Sequence, residues 1–102
     1  MNPIYYMEFI VPSLDTYTIY SKSGCSYCTK VKELLTAFDM SFTIVNCDEY
    51  LYEDKEGFLE FIKKTANKEY RTFPIVFHKG TFLGGFMETK TFIATQIQND
   101  AT

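Results

Sequence analysis

The chain has 102 residues, 46% of them apolar and 18% aromatic, with ten Phe, eight Tyr and no Trp. That length suits one domain able to bury a core without metal or disulfide staples, and the composition excludes a disordered chain. A formal charge of −3 and a pI near 5.0 count against a general nucleic-acid binder, and no apolar run approaches the ~18 residues of a membrane span.

Met1–Asp15 holds Glu8 and no Lys or Arg, so it lacks the basic start of a signal peptide. It reads as an N-terminal extension (1–15) before one domain (16–102), and the expected setting is cytoplasmic. Tyr5, Tyr6 and the other aromatics of this stretch are expected to cover part of a sheet or lie partly disordered.

Tyr17-Thr18-Ile19-Tyr20, β-branched and aromatic, predicts a strand that ends at the turn-like Ser21-Lys22-Ser23-Gly24. From Ser26 to Phe38 the apolar residues Val31, Leu34, Leu35 and Phe38 recur at helical spacing. Phe42-Thr43-Ile44-Val45 predicts a second strand. The segment after Cys47 is acidic early (Asp48, Glu49, Glu53, Asp54, Glu56) and basic late (Lys63, Lys64, Lys68), which suits the dipole of one long helix. Phe58, Phe61, Ile62 and Thr65 give it an apolar face, and Asn67 can end it. Ile75-Val76-Phe77, a turn at His78-Lys79-Gly80 and Thr81-Phe82-Leu83 read as a hairpin; Gly84-Gly85 breaks it, and Glu88 to Ile97 reads as a closing helix. The resulting order, βαβαββα, has a parallel first pair and an antiparallel last pair. It is the core order of a thioredoxin-like α/β fold, a four-stranded mixed sheet flanked by helices.

Three cysteines are too few, and odd in number, for a secreted disulfide scaffold. Cys25 and Cys28 lie where a turn enters a helix, and residues three apart share a helix face. The free N–H groups of that first turn, with Lys22 nearby, favour a thiolate at Cys25; cysteines so placed have pKa values lowered from about 8.5 to roughly 3.5–7.5. Cys28 lies a turn deeper and is expected to be shielded. Cys25 is therefore read as the nucleophile and Cys28 as the resolving thiol. A competing use of the pair is half of a zinc site that Cys47 and His78 would complete, but those two are isolated in sequence. Cys47 reads instead as a small buried residue at a strand end, and His78 as an exposed turn residue.

Three motifs in order, Tyr20-Ser21-Lys22-Ser23-Gly24-Cys25-Ser26-Tyr27-Cys28, Arg71-Thr72-Phe73-Pro74 and Gly84-Gly85-Phe86-Met87-Glu88, resemble the glutaredoxin family over about Thr16–Ile97. The first is similar to the family's lysine-preceded C-P-Y-C, the second to its T-V-P and the third to its G-G-x-x-D. The resemblance implies a glutathione-disulfide oxidoreductase with Cys25 and Cys28 as its catalytic pair. It implies a glutathione groove in which Lys22 and Arg71 meet the glycine carboxylate, Tyr27 forms a wall, and Thr72, Phe73 and a cis Pro74 present backbone to the ligand's cysteine. Gly85, Phe86, Met87 and Glu88 would hold the γ-glutamyl end.

Three departures stand out: Ser26 for proline, Phe73 for valine and Glu88 for aspartate. The first bears on an alternative, because serine-containing members include some that hold a 2Fe–2S cluster between two subunits through the first active-site cysteine, here Cys25. The partners implied are glutathione and glutathionylated or disulfide-containing proteins. A further alternative is a thioredoxin-like electron donor, with ribonucleotide reductase among its clients. The protein is expected to be a monomer, dimeric only with a cluster, and to bind neither nucleic acid nor membrane.

Overall fold

The structure is a computed structural model that describes residues 8–100, the last two by their backbone alone. Strand β1 (Tyr17–Ser21) is buried along its whole length. Its side chains alternate, so Tyr17 and Ile19 face one layer and Tyr20 the other. Burying a large apolar side chain contributes about 1.5–3 kcal/mol. A central strand covered on both faces therefore concentrates that gain.

β1 pairs in parallel with β2 (Phe42–Asn46) and antiparallel with β3 (Ile75–His78), which pairs antiparallel with β4 (Thr81–Gly84); the sheet order is β2-β1-β3-β4. The parallel pair requires a crossover, supplied by α1 (Ser26–Ala37). Val31 and Leu35 of α1 and Ile93 of α3 (Phe86–Asp100) pack with Tyr17, Ile19 and Val76 on one face. On the other, Phe58, Leu59 and Ile62 of α2 (Asp48–Ala66) pack with Tyr20, Val45, Cys47, Ile75 and Phe77. The fold is the thioredoxin-like arrangement that the element order implied. Among the described residues, no helix is long and apolar enough to cross a membrane.

Asn67 ends α2 in the left-handed conformation (φ 58°), its N–H returning to the Lys63 carbonyl, as expected. Four details differ. Phe38, the last residue of the apolar helical spacing, is the C-cap of α1 and stays 46% exposed. The acidic segment forms two helical pieces joined at Asp54, whose backbone is extended (φ −157°, ψ 69°). The Asp54 carboxylate accepts the Gly57 N–H at 3.1 Å, so this residue caps a new helix start within the charge pattern of one long helix. Helix α3 begins at Phe86, two residues before Glu88, because the Glu88 side chain reaches back to the Gly85 N–H.

The fourth concerns His78, read as an exposed turn residue. It is the last residue of β3, opposite Tyr17, and its ring centroid lies 4.4 Å from that of Tyr17 and 4.8 Å from that of Phe92. The turn contains only Lys79 and Gly80, both at positive φ (51° and 85°), the backbone a two-residue hairpin requires.

The N-terminal segment covers the α2 side of the core. Phe9 meets Tyr50, Phe61 and Phe58 at 5.0, 5.3 and 5.6 Å. The Ile10 N–H donates to the Tyr50 hydroxyl, and the Tyr20 hydroxyl donates to the Ile10 carbonyl. Tyr5 and Tyr6 lie outside the described residues.

Two expected outcomes follow from this packing. Burial, helped by the Lys79 charge, holds the His78 imidazole below its ordinary pKa. The unfolded chain therefore takes up this proton first as pH falls through about 6.5, and folded-state stability drops below that point. Thermal denaturation from neutral to mildly acidic pH should show a steeper loss for the wild type than for His78→Gln; equal slopes would contradict it. Burial, with the Asp48 charge adding to it, pushes the Cys47 thiol up to about 12. The thiol is therefore protonated at neutral pH. Mass spectrometry of the reduced native protein treated with an alkylating reagent should find Cys47 unmodified until denaturant is added.

Candidate functional site

The site is assembled where β1 ends. Ser21 closes the strand, its carbonyl accepting the Cys47 N–H at 2.8 Å, and the chain turns through Lys22-Ser23-Gly24 into α1. Asp48, in the first turn of α2, holds that turn from across the fold. Its Oδ1 accepts the Ser23 N–H at 2.9 Å, and its Oδ2 accepts the Ser23 hydroxyl. These two bonds, with the nearby Lys22 charge, keep the Asp48 carboxyl below the usual carboxylate range. The clamp is therefore fully charged at neutral pH.

Cys25 is the N-cap of α1, and its Sγ accepts the Cys28 N–H at 3.1 Å. The first turn of α1 contains no acidic residue to oppose negative charge at that sulfur. Cys28, 5.3 Å away between Cα atoms, forms a disulfide with Cys25 and is only 1% exposed, whereas Cys25 is half-buried. Of the two sulfurs, Cys25 is therefore the one that solvent can reach, while Cys28 is shielded.

One hollow is lined by the pair itself and a second by the intervening Tyr27. The larger, about 520 Å³, is lined by residues 21–26 with Cys28, Thr29, Lys32 and Asn46. Lys22 borders it, and its Nζ lies 5.3 Å from the centre of the Phe73 ring. The smaller, about 190 Å³, brings together Tyr27, Phe73, Pro74, Gly85, Phe86, Met87 and Glu88, all named from the sequence, and adds Tyr70. Tyr27 is 51% exposed and lies 5.7 Å from Phe86, centroid to centroid. The Phe73–Pro74 peptide is cis. Among the described residues, the Phe73 N–H and C=O have no hydrogen-bond partner.

Gly84 turns the chain into α3 at φ 133°, where a side chain would also meet Glu88. Glu88 Oε1 accepts the Gly85 N–H at 2.8 Å, and the Thr89 hydroxyl donates to the Gly85 carbonyl. Arg71 and Thr72 line neither hollow. The Arg71 guanidinium is instead 3.2 Å from Glu56 and 3.8 Å from Glu69 on an exposed surface. The two residues considered for a zinc site belong to opposite layers: Cys47 is buried under α2, and His78 packs against Tyr17 and Phe92 with tilted rings. Tyr70 was missed because it lies just outside the motif of residues 71–74, and an aromatic beside a loop reads as ordinary packing.

The Glutaredoxin family model matches residues 17–83. Human "Glutaredoxin-2, mitochondrial" is 37% identical over 71 residues, which are 70% of this chain and 41% of that protein. "Glutaredoxin 1" of Rickettsia conorii is 32% identical over 72 residues, 71% of this chain and 66% of that protein. The chain thus spans less than half the length of the human relative. Among solved structures, glutaredoxin 1 from Francisella tularensis, complexed with cacodylate, superposes with a TM-score of 0.69 at 26% identity, covering 81% of this chain and 95% of that one. With the cysteine pair at the head of α1 and the cis proline of the β3 approach in place, the chain belongs to the glutaredoxin family.

Proposed function

We propose that this chain is a glutathione-dependent thiol–disulfide oxidoreductase acting on protein–glutathione mixed disulfides and protein disulfides. The observation that carries the reading is the asymmetry of the pair: Cys25 only half-buried at a helix N-terminus, Cys28 fully buried within disulfide reach. Once reduced, Cys25 keeps the Cys28 N–H and the dipole of α1 beside its sulfur, which favours the thiolate and makes it a good leaving group.

The Cys25 thiolate attacks the glutathione sulfur of a mixed disulfide, and the protein thiolate leaves and takes up a proton. A second glutathione thiolate attacks the Cys25–glutathione bond, releasing oxidised glutathione and restoring Cys25. With a protein disulfide, Cys25 forms a mixed disulfide with the client. Cys28 then attacks Cys25, expelling the client as a thiol, and two glutathiones reduce the Cys25–Cys28 bond.

The groove of Tyr27, Phe73, Pro74 and Gly85 supports glutathione as the co-substrate. The unpaired Phe73 amide and carbonyl suit a short strand-like pairing with the tripeptide. Of the two lysines that line the hollow with Cys25, Lys22 and Lys32, Lys22 lies over the Phe73 ring and is the cation for the glycine carboxylate, with Arg71 reaching it only by leaving Glu56. Clients such as ribonucleotide reductase, and a cytoplasmic setting, belong to the same proposal.

A second reading rests on Ser26, exposed between the cysteines, and on Cys25 as the accessible sulfur. Cys28 and Cys47 are buried, so one chain offers one cysteine toward the four ligands of a 2Fe–2S cluster. A cluster would therefore join two copies, with glutathione completing the set, and would give visible absorption after anaerobic purification. A colourless protein would count against it.

The oxidoreductase reading is tested by glutathione-coupled reduction of a mixed disulfide. Cys25→Ser should fall to the uncatalysed background. Cys28→Ser should keep deglutathionylation while losing turnover of protein disulfides. Substantial turnover by Cys25→Ser would overturn the assignment.

A further inference from the structure

Tyr70 is the one residue of the smaller hollow that lies outside the motifs. Its ring meets Phe82 edge-on, with centroids 5.0 Å apart, which fixes its direction. Its hydroxyl oxygen lies 2.9 Å from the position a Cβ would take on Gly85. The absence of a side chain at Gly85 is what admits it. Among the described residues, that hydroxyl has no hydrogen-bond partner.

Hydrogen bonding at the head of α3 is already partly committed. Glu88 Oε1 occupies the Gly85 N–H, so that donor is closed to a ligand. The Phe86 and Met87 N–H groups belong to the first helical turn and lack helical acceptors. A γ-glutamyl group brings an α-carboxylate and an ammonium. The carboxylate needs donors, and the Tyr70 hydroxyl lies beside the donor that Glu88 has taken. The second oxygen of Glu88 is left for the ammonium.

We propose that Tyr70 is a specificity-determining residue for the γ-glutamyl end of glutathione, its hydroxyl donating to the α-carboxylate in place of the Gly85 N–H. This rests on the glutathione reading above. The aromatic ring belongs to the fold, through Phe82, and the hydroxyl to recognition. Tyr70→Phe separates the two, because it keeps the ring and removes only the oxygen.

The test uses the full, prereduced chain in single turnover. One peptide carries glutathione in disulfide linkage; a second carries cysteinylglycine, which lacks the γ-glutamyl group. The readout is the second-order rate constant for release of the peptide thiol. Tyr70→Phe is expected to be about tenfold slower than wild type with the glutathionylated peptide, as the loss of a hydrogen bond to a charged group implies, and unchanged with the cysteinylglycine peptide. Equal rates for variant and wild type on both substrates would overturn the proposal. So would an equal loss on both, which would make Tyr70 a structural residue. A wild type that shows no preference for the glutathionylated peptide would overturn the glutathione reading itself.

Discussion

An α-helix begins with N–H groups that no helical carbonyl can reach, and in this chain the sulfur of Cys25 accepts the one at Cys28. Much of the site depends on that interaction. It makes Cys25 the cap of α1, and so places its sulfur at the positive end of the helix dipole. It also puts Cys28 one turn inward, where the sheet and helices bury it. The same geometry that caps the helix thus divides the two thiols into an accessible one and a shielded one.

Capping alone does not hold the sulfur in register with the rest of the fold. The turn before it is tied down twice, by the Cys47 N–H on the Ser21 carbonyl and by the Asp48 carboxylate on Ser23. Both ties come from the junction of β2 and α2, so the parallel strand pair and the active-site turn are fixed together. Cys47 has a part in this that its chemistry would not suggest. It contributes its backbone, while burial keeps its thiol protonated.

The far wall of the site comes from chain segments remote from the cysteines. Phe73 and Pro74 arrive from the approach to β3, and Gly85 to Glu88 from the start of α3. The replacement of aspartate by Glu88 matters here, because the longer side chain folds back onto the Gly85 N–H and closes one donor. Arg71 shows the opposite outcome for a motif residue: nearby acids draw it into surface ion pairs, away from both hollows.

The strands, the helices and the placing of Cys25 and Cys28 at the head of a helix were legible in the sequence because each rests on local physics. Period-two and helical apolar spacing, turn residues and a cysteine at a helix start need no distant partner to be recognised. The break at Asp54 and the early start of α3 depend on single side chains capping backbone, a choice that charge patterns do not reveal. His78 was misjudged because a two-residue turn leaves it in the strand opposite Tyr17, a pairing that only the register decides. Tyr70 beside Gly85 and Asp48 beside Ser23 are likewise products of tertiary structure. The sequence by itself determined the elements and the close cysteine pair. The folded chain alone decided which distant donors and acceptors surround that pair, since such contacts depend on how the sheet brings separate segments together.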